Sequence, residues 1–540
     1  MGNSIGIDLG TTESTVSVVE ISGRRDNPME KLRSLNIFQH DSSHNSVTNM
    51  NGLQSSIYIN RETETIYVGE FAKKIYSDGH KPLQTIRSVK TRIGGESEID
   101  VPLQNDKNDK ISFDMTELSS ILLKQIRDSV KQQLGSDDFE AVTITIPAGF
   151  NSDERRATIE AGHLAGFQHV NLLDEPTAVL LYFLNSENSF EFGDEFFDKN
   201  RKVLVYDIGG GTLDISIANI LLDDDDFDIS ILGRSERMDF GGDDIDKRIA
   251  SYFLEEFEKI NPSISARTPE EQAVIVSRIV SHAERHKVSL SKKISSTENP
   301  KLKQRKRETV NFEIIDGLSI RDLTLNDQNL REILSDLIAN NGKLLQPLIN
   351  TLKKSKLQKD DIDMVILTGG SGKFYLVEET LRKFFGNTTK IVDFTEREAV
   401  SKGASIHSYN FNNHKLKKIK ITDVMSDSIF IRNGRRFEKL IPHDVKAPET
   451  GTYNFKFSET TKRADIFLYY GVDAKDQHKL REIDGAFITL DKFYNKDESI
   501  QLDWEFDENR IIKIHHDGKE LLSTSKQIKE NKIFSTFSIK

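Results

Sequence analysis

At 540 residues, with 36% hydrophobic and 30% charged residues, the chain is too long for one ordinary core and predicts three or four folding units with solvated surfaces. The net charge of −12 carries no dominant basic face, which argues against nucleic acid as the main partner, and the absence of cysteine excludes disulfides and thiolate metal sites. No run of about 18 apolar residues occurs, no basic or apolar leader follows Met1, and Gly6 breaks a myristoylation pattern, so the expectation is a cytoplasmic protein with no membrane partner.

In chain order, residues 5–19 read IGIDLGTTESTVSVV and predict a strand, a Gly-Thr turn and a second strand. Leu118–Leu134 has helical spacing, Ala141–Ile146 reads as a strand and Asp153–Ala165 as a helix. Residues 204–218, LVYDIGGGTLDISIA, repeat the opening unit, with Asp207 in the place of Asp8. The acidic run Asp223–Asp226 lies between two apolar segments and reads as a solvated hairpin tip. Helices are expected over Asp246–Ile260 and Glu270–Ser291, strands near 309–325, one helix over 327–356 and a buried strand at Met364–Thr368. Alternating helices and strands mark an α/β fold. Beyond about residue 420, YNFKFSE, RADIFLYY, AFITL, SIQLDWEF, RIIKIHH and KIFSTFSIK read as short strands at sandwich spacing. The polar stretch 408–420 is the expected boundary.

A Gly-Thr turn offers backbone N–H groups and hydroxyls to phosphate oxygens without side-chain obstruction. One such turn is weak evidence. Two of them, each beside a strand aspartate, can clamp a polyphosphate from both sides, with Asp8 and Asp207 holding hydrated Mg²⁺. The alternative is a pair of hairpins that the aspartates merely bracket. A third turn, Gly369-Gly370-Ser371 after the strand MVILT, suits the nucleoside end of such a ligand, or an ordinary β-to-α connection.

The ordered set IGIDLGTT, VKTRIGG, TIPAGFNSDERRAT, LLDEPTAVLLY, VLVYDIGGGTLDISI, FGGDDID, AERHKVSLS and ILTGGSGKF resembles the nucleotide-binding domain of the heat-shock 70 chaperones. The resemblance covers residues 4 to about 408, while FEKLIPHDVKAPET, FDENRIIKIHHDGKE and KENKIFSTFSIK resemble the start and end of that family's substrate domain. It implies an actin-like α/β domain of duplicated ribonuclease-H-like lobes over 1–408, a linker over 409–424 and a β-sandwich over 425–540. The last expected strand ends at Lys540, so the reading is a variant with no α-helical lid.

Position by position, the resemblance implies that Lys90 contacts the γ-phosphate and the attacking water, and that Glu175 lies near the metal shell. Asp8, Asp207 and Thr212 fill metal and phosphate positions, and Asp214 is a candidate for K⁺. Gly10, Thr11, Thr12, Glu13, Gly209, Gly210, Gly211, Gly241 and Gly242 would cradle ATP or ADP. Glu284, Lys287, Ser291, Gly369, Gly370, Ser371 and Lys373 would hold the nucleoside, and Pro147 and Arg155 would relay between domains. Implied partners are unfolded or nascent polypeptides, a J-domain co-chaperone and a nucleotide-exchange factor. This chain departs from the pattern at Val288 and Lys373, where the family carries arginines, and at Glu13, whose carboxylate would repel phosphate unless turned away. In the linker, Ile419 and Ile421 keep one apolar face and Asp423 keeps the family acid. Lys420 and Thr422 break the other face, Lys415, Lys417 and Lys418 add charge upstream, and Val424 closes the segment. Three functions are compatible: a slow ATPase chaperone, a non-hydrolysing ATP-bound scaffold serving another chaperone or the ribosome, and an actin-like filament protein or sugar kinase. The third leaves the β-rich end unexplained.

Overall fold

A computed structural model describes the chain except for residues 1–2, 21–30, 42–46, 96–97, 104–105, 137–138, 187–193, 224–225, 261–267, 316, 413–419, 423–427, 443–444, 446–447, 472, 476–479, 508 and 522–531. Two six-stranded sheets share one plan. The first has the order Val170–Asp174, Phe139–Ile146, Asn3–Asp8, Glu13–Val19, Leu32–Leu35, with Leu53–Gln54 branching from the fourth strand. The second has Lys390–Asp393, Met364–Thr368, Arg201–Ile208, Leu213–Asp223, Asp226–Arg234 and, at its edge, Lys420–Thr422. In both, a hairpin lies beside two strands parallel to its first arm. Ile5, Ile7, Val16, Val18, Leu204, Ile208, Ile215 and Ile217 are fully buried, as strands covered on both faces require. Asp223 pairs with Asp226, so the acidic run closes a hairpin whose central residues lie outside the described set.

Local signals set the helices between these strands. Asp114 and Glu117 form a capping box at the start of Met115–Leu134, and Gly135 in the left-handed region ends that helix. Asn151 and Glu154 cap Ser152–Leu164 in the same way. Glu175–Asn185 and Ala399–Asn412 pack between the lobes around a shared apolar core that includes Val179, Phe183, Val205, Ile366 and Ile406. Their backbones come close to their neighbours. A Cβ on Gly6 would overlap the backbone of Ser401 and Ser405, and one on Gly403 would overlap Ala178.

The single helix expected over 327–356 is instead three: Asp327–Ile333, Ser335–Ile338 and Gln346–Lys354. The cause is the Asn340-Asn341-Gly342 turn, where the Gly342 amide donates to the Ala339 carbonyl at 2.8 Å and Leu344 folds back to Leu337 at 3.3 Å. Pro347 then opens the last helix, where its missing N–H leaves no bond unmade.

From Ser428 the chain forms two four-stranded antiparallel sheets. One is Arg436–Ile441, Ser428–Asn433, Thr461–Gly471, Arg481–Tyr494, and the other is Glu449–Lys456, Ser499–Phe506, Ile512–His516, Lys519–Glu520. Ile429, Ile431, Phe455, Ile466, Leu468, Leu502 and Ile514 share one core between them, which makes a sandwich. The segment KIFSTFSIK was expected to end this sandwich as a strand. It forms instead a short helix, Lys532–Thr536, and a strand, Ser538–Ile539, added to a sheet of the first lobe. One helical turn brings Ile533 and Phe537 to the same side, and both are buried in that lobe.

Gly6→Ala should destabilise the protein by about 1–3 kcal/mol, because the added methyl meets backbone that cannot rotate away. Urea unfolding measures this, and an unchanged midpoint would contradict the close helix-on-strand packing.

Candidate functional site

Each hairpin turn is held by its own hydrogen bonds. In the first, the Gly10 amide donates to Ser14 Oγ at 3.1 Å, Ser55 Oγ donates to the Gly10 carbonyl at 2.7 Å, and the two serines touch at 3.1 Å. In the second, the Gly209 amide donates to the Thr212 carbonyl at 2.9 Å, while Gly242 and Asp243 donate to the Gly209 and Gly210 carbonyls. The turns face each other. A Cβ on Gly210 would overlap the Thr12 hydroxyl, and one on Gly211 would press on Thr11 and Thr91. Glycine is required here by close approach, and Thr12 Oγ1 is left buried without a hydrogen-bond partner.

The two strand registers place Asp8 opposite Thr145 and Asp207 opposite Thr368, so each aspartate stands beside a threonine at the end of the neighbouring parallel strand. Lys90, in the 3₁₀ turn Val89–Arg92, is buried and forms an ion pair with Glu175 at the start of its helix. Asp214 Oδ1 accepts from the Ala148 amide at 3.0 Å, directly after the buried Pro147, and its other oxygen has no partner. Burial pushes Asp8 up to about 7, with Lys90 opposing and Glu175 adding to the shift. Asp214 reaches about 7 through burial and Glu175. Asp207 is pushed well above the usual range by burial, then by Glu175, Asp214 and Asp8. For Lys90, burial disfavours the ammonium, but Glu175 and Asp8 more than restore it and its pKa rises. Four carboxyl groups thus surround one ammonium. A bound cation relieves that excess, and the orphaned Asp214 and Thr12 oxygens suit a metal–polyphosphate. Among the described residues no three such groups converge into an inner coordination shell, so the residues fit a cation held through water.

The remaining motif residues gather at the other end of the cleft. Ser371 Oγ donates to the Gly209 carbonyl at 2.8 Å, and a Cβ on Gly369 would meet Asp207. Gly242 lies against Ser371 and Lys287, while Gly241 packs on the Gly210 backbone and Gly370 faces open space. Ser291 Oγ donates to the Lys373 carbonyl at 3.2 Å and accepts from Tyr375 N at 3.1 Å, and the Lys373 side chain is exposed. Lys287 is committed to Asp246 at 2.9 Å, Glu284 pairs with Lys73 at 3.3 Å, and Val288 is 57% exposed. Glu13 is turned onto Gln54, whose Nε2 donates at 2.9 Å, and is ion-paired with Arg397. Reading the sequence missed Arg397, which follows Glu13 by nearly the whole domain. It also missed Ser88, whose Oγ donates to Asp243 Oδ2 at 3.0 Å across the cleft.

A second centre adjoins the first. Asp174, the residue before Glu175, is buried among three arginines: Arg155 at 2.8 Å, Arg234 at 2.7 Å and Arg510. Burial pushes its carboxyl up, but Arg234, Arg510 and Arg155 together hold it far below the ordinary range. Burial in turn lowers Arg155 to about 10, with Arg510 adding to the effect. Arg155 comes from the first lobe, Arg234 from the second and Arg510 from the sandwich. Arg510 occupies the left-handed region at φ 59°, a strained conformation for a non-glycine residue. Around it, Asn509 Oδ1 accepts from Leu172 N at 3.0 Å and Tyr470 OH accepts from Ser152 N at 2.7 Å. Nothing in the pattern FDENR announces that its arginine meets Asp174.

A family model described as Hsp70 protein matches residues 42–533. The chain is 30% identical over 469 residues to the "Chaperone protein dnaK" of Cyanophora paradoxa, covering 83% of this chain and 67% of that protein. It is also 30% identical over 475 residues to the "Chaperone protein DnaK" of Thermosipho africanus, covering 86% and 70%. With the corresponding protein of Thermosipho melanesiensis the figures are 29% identity, 82% and 66%. The chain therefore spans about two thirds of the length of these relatives.

Removing the carboxylate from the three-arginine joint, by Asp174→Ala, should cost about 3–5 kcal/mol at neutral pH, because buried guanidinium groups lose their counter-ion. The folded Asp174 titrates lower than the unfolded one. Its stabilisation is therefore complete above the unfolded value near pH 4 and disappears as pH falls through the folded value. Urea titrations of wild type and variant should converge as the pH is lowered below about 4, and a pH-independent difference would contradict the assignment.

Proposed function

The chain belongs to the Hsp70 protein family, and from that premise we propose that it is an ATP-hydrolysing chaperone whose sandwich binds extended segments of unfolded or nascent polypeptides. The observation that carries this reading is the buried set Lys90, Glu175, Asp207 and Asp214, with the half-buried Asp8, beneath two opposed Gly-Thr turns. In this reading residues 1–408 form the nucleotide domain, 409–424 the linker and 425–540 the substrate domain. A J-domain co-chaperone and a nucleotide-exchange factor are the expected partners. The turns at Gly10–Thr12 and Gly209–Thr212 would bind the phosphates, and Gly241, Gly242, Ser371, Ser291 and Lys373 would line the nucleoside end. Asp8, Asp207 and Glu175 would hold Mg²⁺ through water, and Asp214 would favour K⁺. The metal would neutralise charge on the phosphates.

Lys90 and Glu175 would position the attacking water, with Glu175 accepting its hydrogen bond and Lys90 stabilising charge on the transferred group. Positioning and charge neutralisation carry such a reaction without a covalent intermediate, so turnover is slow. Pro147 connects the two halves of the site, following Thr145 beside Asp8 and preceding Ala148, which donates to Asp214. Neutralisation of Glu13 by Arg397 removes the repulsion that its carboxylate would otherwise exert. A second reading, a non-hydrolysing ATP-bound scaffold, draws support from Lys287, which is already committed to Asp246, and from Val288, which offers no cation to an adenine face.

The linker supports weak coupling between nucleotide and peptide. Lys420–Thr422 pairs with Asp228–Ser230 in parallel, and Ile421 packs on the central core. Lys415–Lys418, Ile419, Asp423 and Val424 lie outside the described residues. Each apolar side chain missing from such a docked strand forfeits about 1.5–3 kcal/mol if fully buried, as large as a typical allosteric coupling of about 1–3 kcal/mol.

In single-turnover assays with labelled ATP, the protein should hydrolyse ATP slowly and only with Mg²⁺, and Lys90→Ala or Asp207→Ala should abolish turnover while the fold survives. ATP bound but unhydrolysed over hours would give the scaffold reading its place. Peptide should stimulate the ATPase little, and ATP should barely alter peptide release. Leucine at 420 and 422 should strengthen both effects, and a several-fold effect in the wild-type chain would refute the weak-coupling argument.

A further inference from the structure

The segment Lys532–Lys540 is seated on the first lobe in the manner of a bound peptide. Ile533 and Phe537 are 4% and 8% exposed, buried in the same core as Val101, Phe113 and Ile66. The Phe537 ring lies 6.1 Å from that of Phe113 at 59°, and Lys124 Nζ stands 5.9 Å over Phe534. From Phe537 onward the backbone runs parallel to the strand Thr65–Val68. Ser538 N donates to the Glu64 carbonyl at 2.9 Å, Lys540 N to the Ile66 carbonyl at 2.8 Å, and Val68 N to the Lys540 carbonyl at 3.0 Å. Ser538 Oγ adds a bond to Thr65 Oγ1 at 3.3 Å. The segment thereby becomes the outer strand of a sheet that otherwise consists of Thr65–Val68, Ser56–Asn60 and Thr85–Arg87.

Main-chain pairing at a sheet edge, with alternate side chains entering pockets, is how domains capture extended peptides. At Ser538 the contacts are a main-chain bond and one hydroxyl bond, whereas the Ile533 and Phe537 seats demand apolar and aromatic groups. Left bare, the Thr65–Val68 edge would present unpaired amides beside an apolar trough, a template for strand addition. We propose that this edge is a peptide-binding site of the first lobe, separate from any groove in the sandwich, and that Lys532–Lys540 is its intramolecular ligand. The ligand class is a peptide with an apolar residue one helical turn before an aromatic one, running on in extended form along the edge with another apolar residue two after it. Because the occupant follows the sandwich in the same chain, its effective concentration is of millimolar order, and it holds the sandwich near the lobe without help from nucleotide.

The test uses the full-length chain and a labelled synthetic peptide of the sequence KIFSTFSIK. Val68 amide exchange is the local readout, since that amide donates to Lys540. The wild-type chain should protect Val68 and bind the peptide at least about tenfold more weakly than a chain whose own segment is displaced. Ile533→Asp with Phe537→Asp should deprotect Val68, and added peptide should restore its protection, while a peptide with Asp in place of the Phe537 equivalent should not. Ser538→Pro supplies a milder release, removing one main-chain donor and leaving the apolar seats intact. Unchanged Val68 exchange in both variants would overturn the proposal, as would a released edge that the peptide fails to protect. Peptide captured by the sandwich alone would leave Val68 exchange unaltered, and would likewise count against it.

Discussion

Four carboxyl groups, three of them buried and Asp8 partly so, around a single buried ammonium set the terms for the cleft. Desolvation opposes charge on Asp8, Asp207 and Asp214, and repulsion from neighbouring carboxylates adds to the cost. Lys90 relieves part of it by pairing with Glu175, but Asp8, Asp207 and Asp214 remain shifted upward. A fold that merely needed two hairpins would have no use for that arrangement, because apolar residues of similar size would pack at lower cost. The glycines of the 209–211 turn, pressed against Thr11 and Thr12 of the opposite lobe, extend the same logic. They give up side chains to leave backbone amides and hydroxyls close to the charge cluster.

The cleft is joined to the rest of the molecule through adjacent residues. Asp174 ends the edge strand Val170–Asp174 and Glu175 begins the helix that follows, so the counter-ion of Lys90 and the hub of the arginine joint share one peptide bond. The strained Arg510 conformation is maintained because its guanidinium meets a buried carboxylate and its neighbours are hydrogen-bonded to the first lobe. Among the described residues, the linker strand at Ile421 and the Lys532–Lys540 segment also lie against the lobes.

Much of the architecture was legible in the residues. The duplicated strand–turn–strand unit, with an aspartate at the same place in each copy, is a local pattern, and local patterns survive translation into structure because period-two burial and turn chemistry act over a few residues. The glycines at 209–211, 369 and 370 could be placed for the same reason. Tertiary packing decided the rest. Asn340-Asn341-Gly342 broke an expected helix because the chain had to turn back onto Leu337, which no helical period reveals. KIFSTFSIK alternates well enough for a strand, but burial of Ile533 and Phe537 in a distant core favoured one helical turn. The partners of Glu13 and Asp174 were invisible because Arg397 and Arg510 stand hundreds of residues away. The sequence determined which groups are charged, small or apolar. Only the fold determined which charges are buried together, and desolvation makes that the quantity on which the site depends.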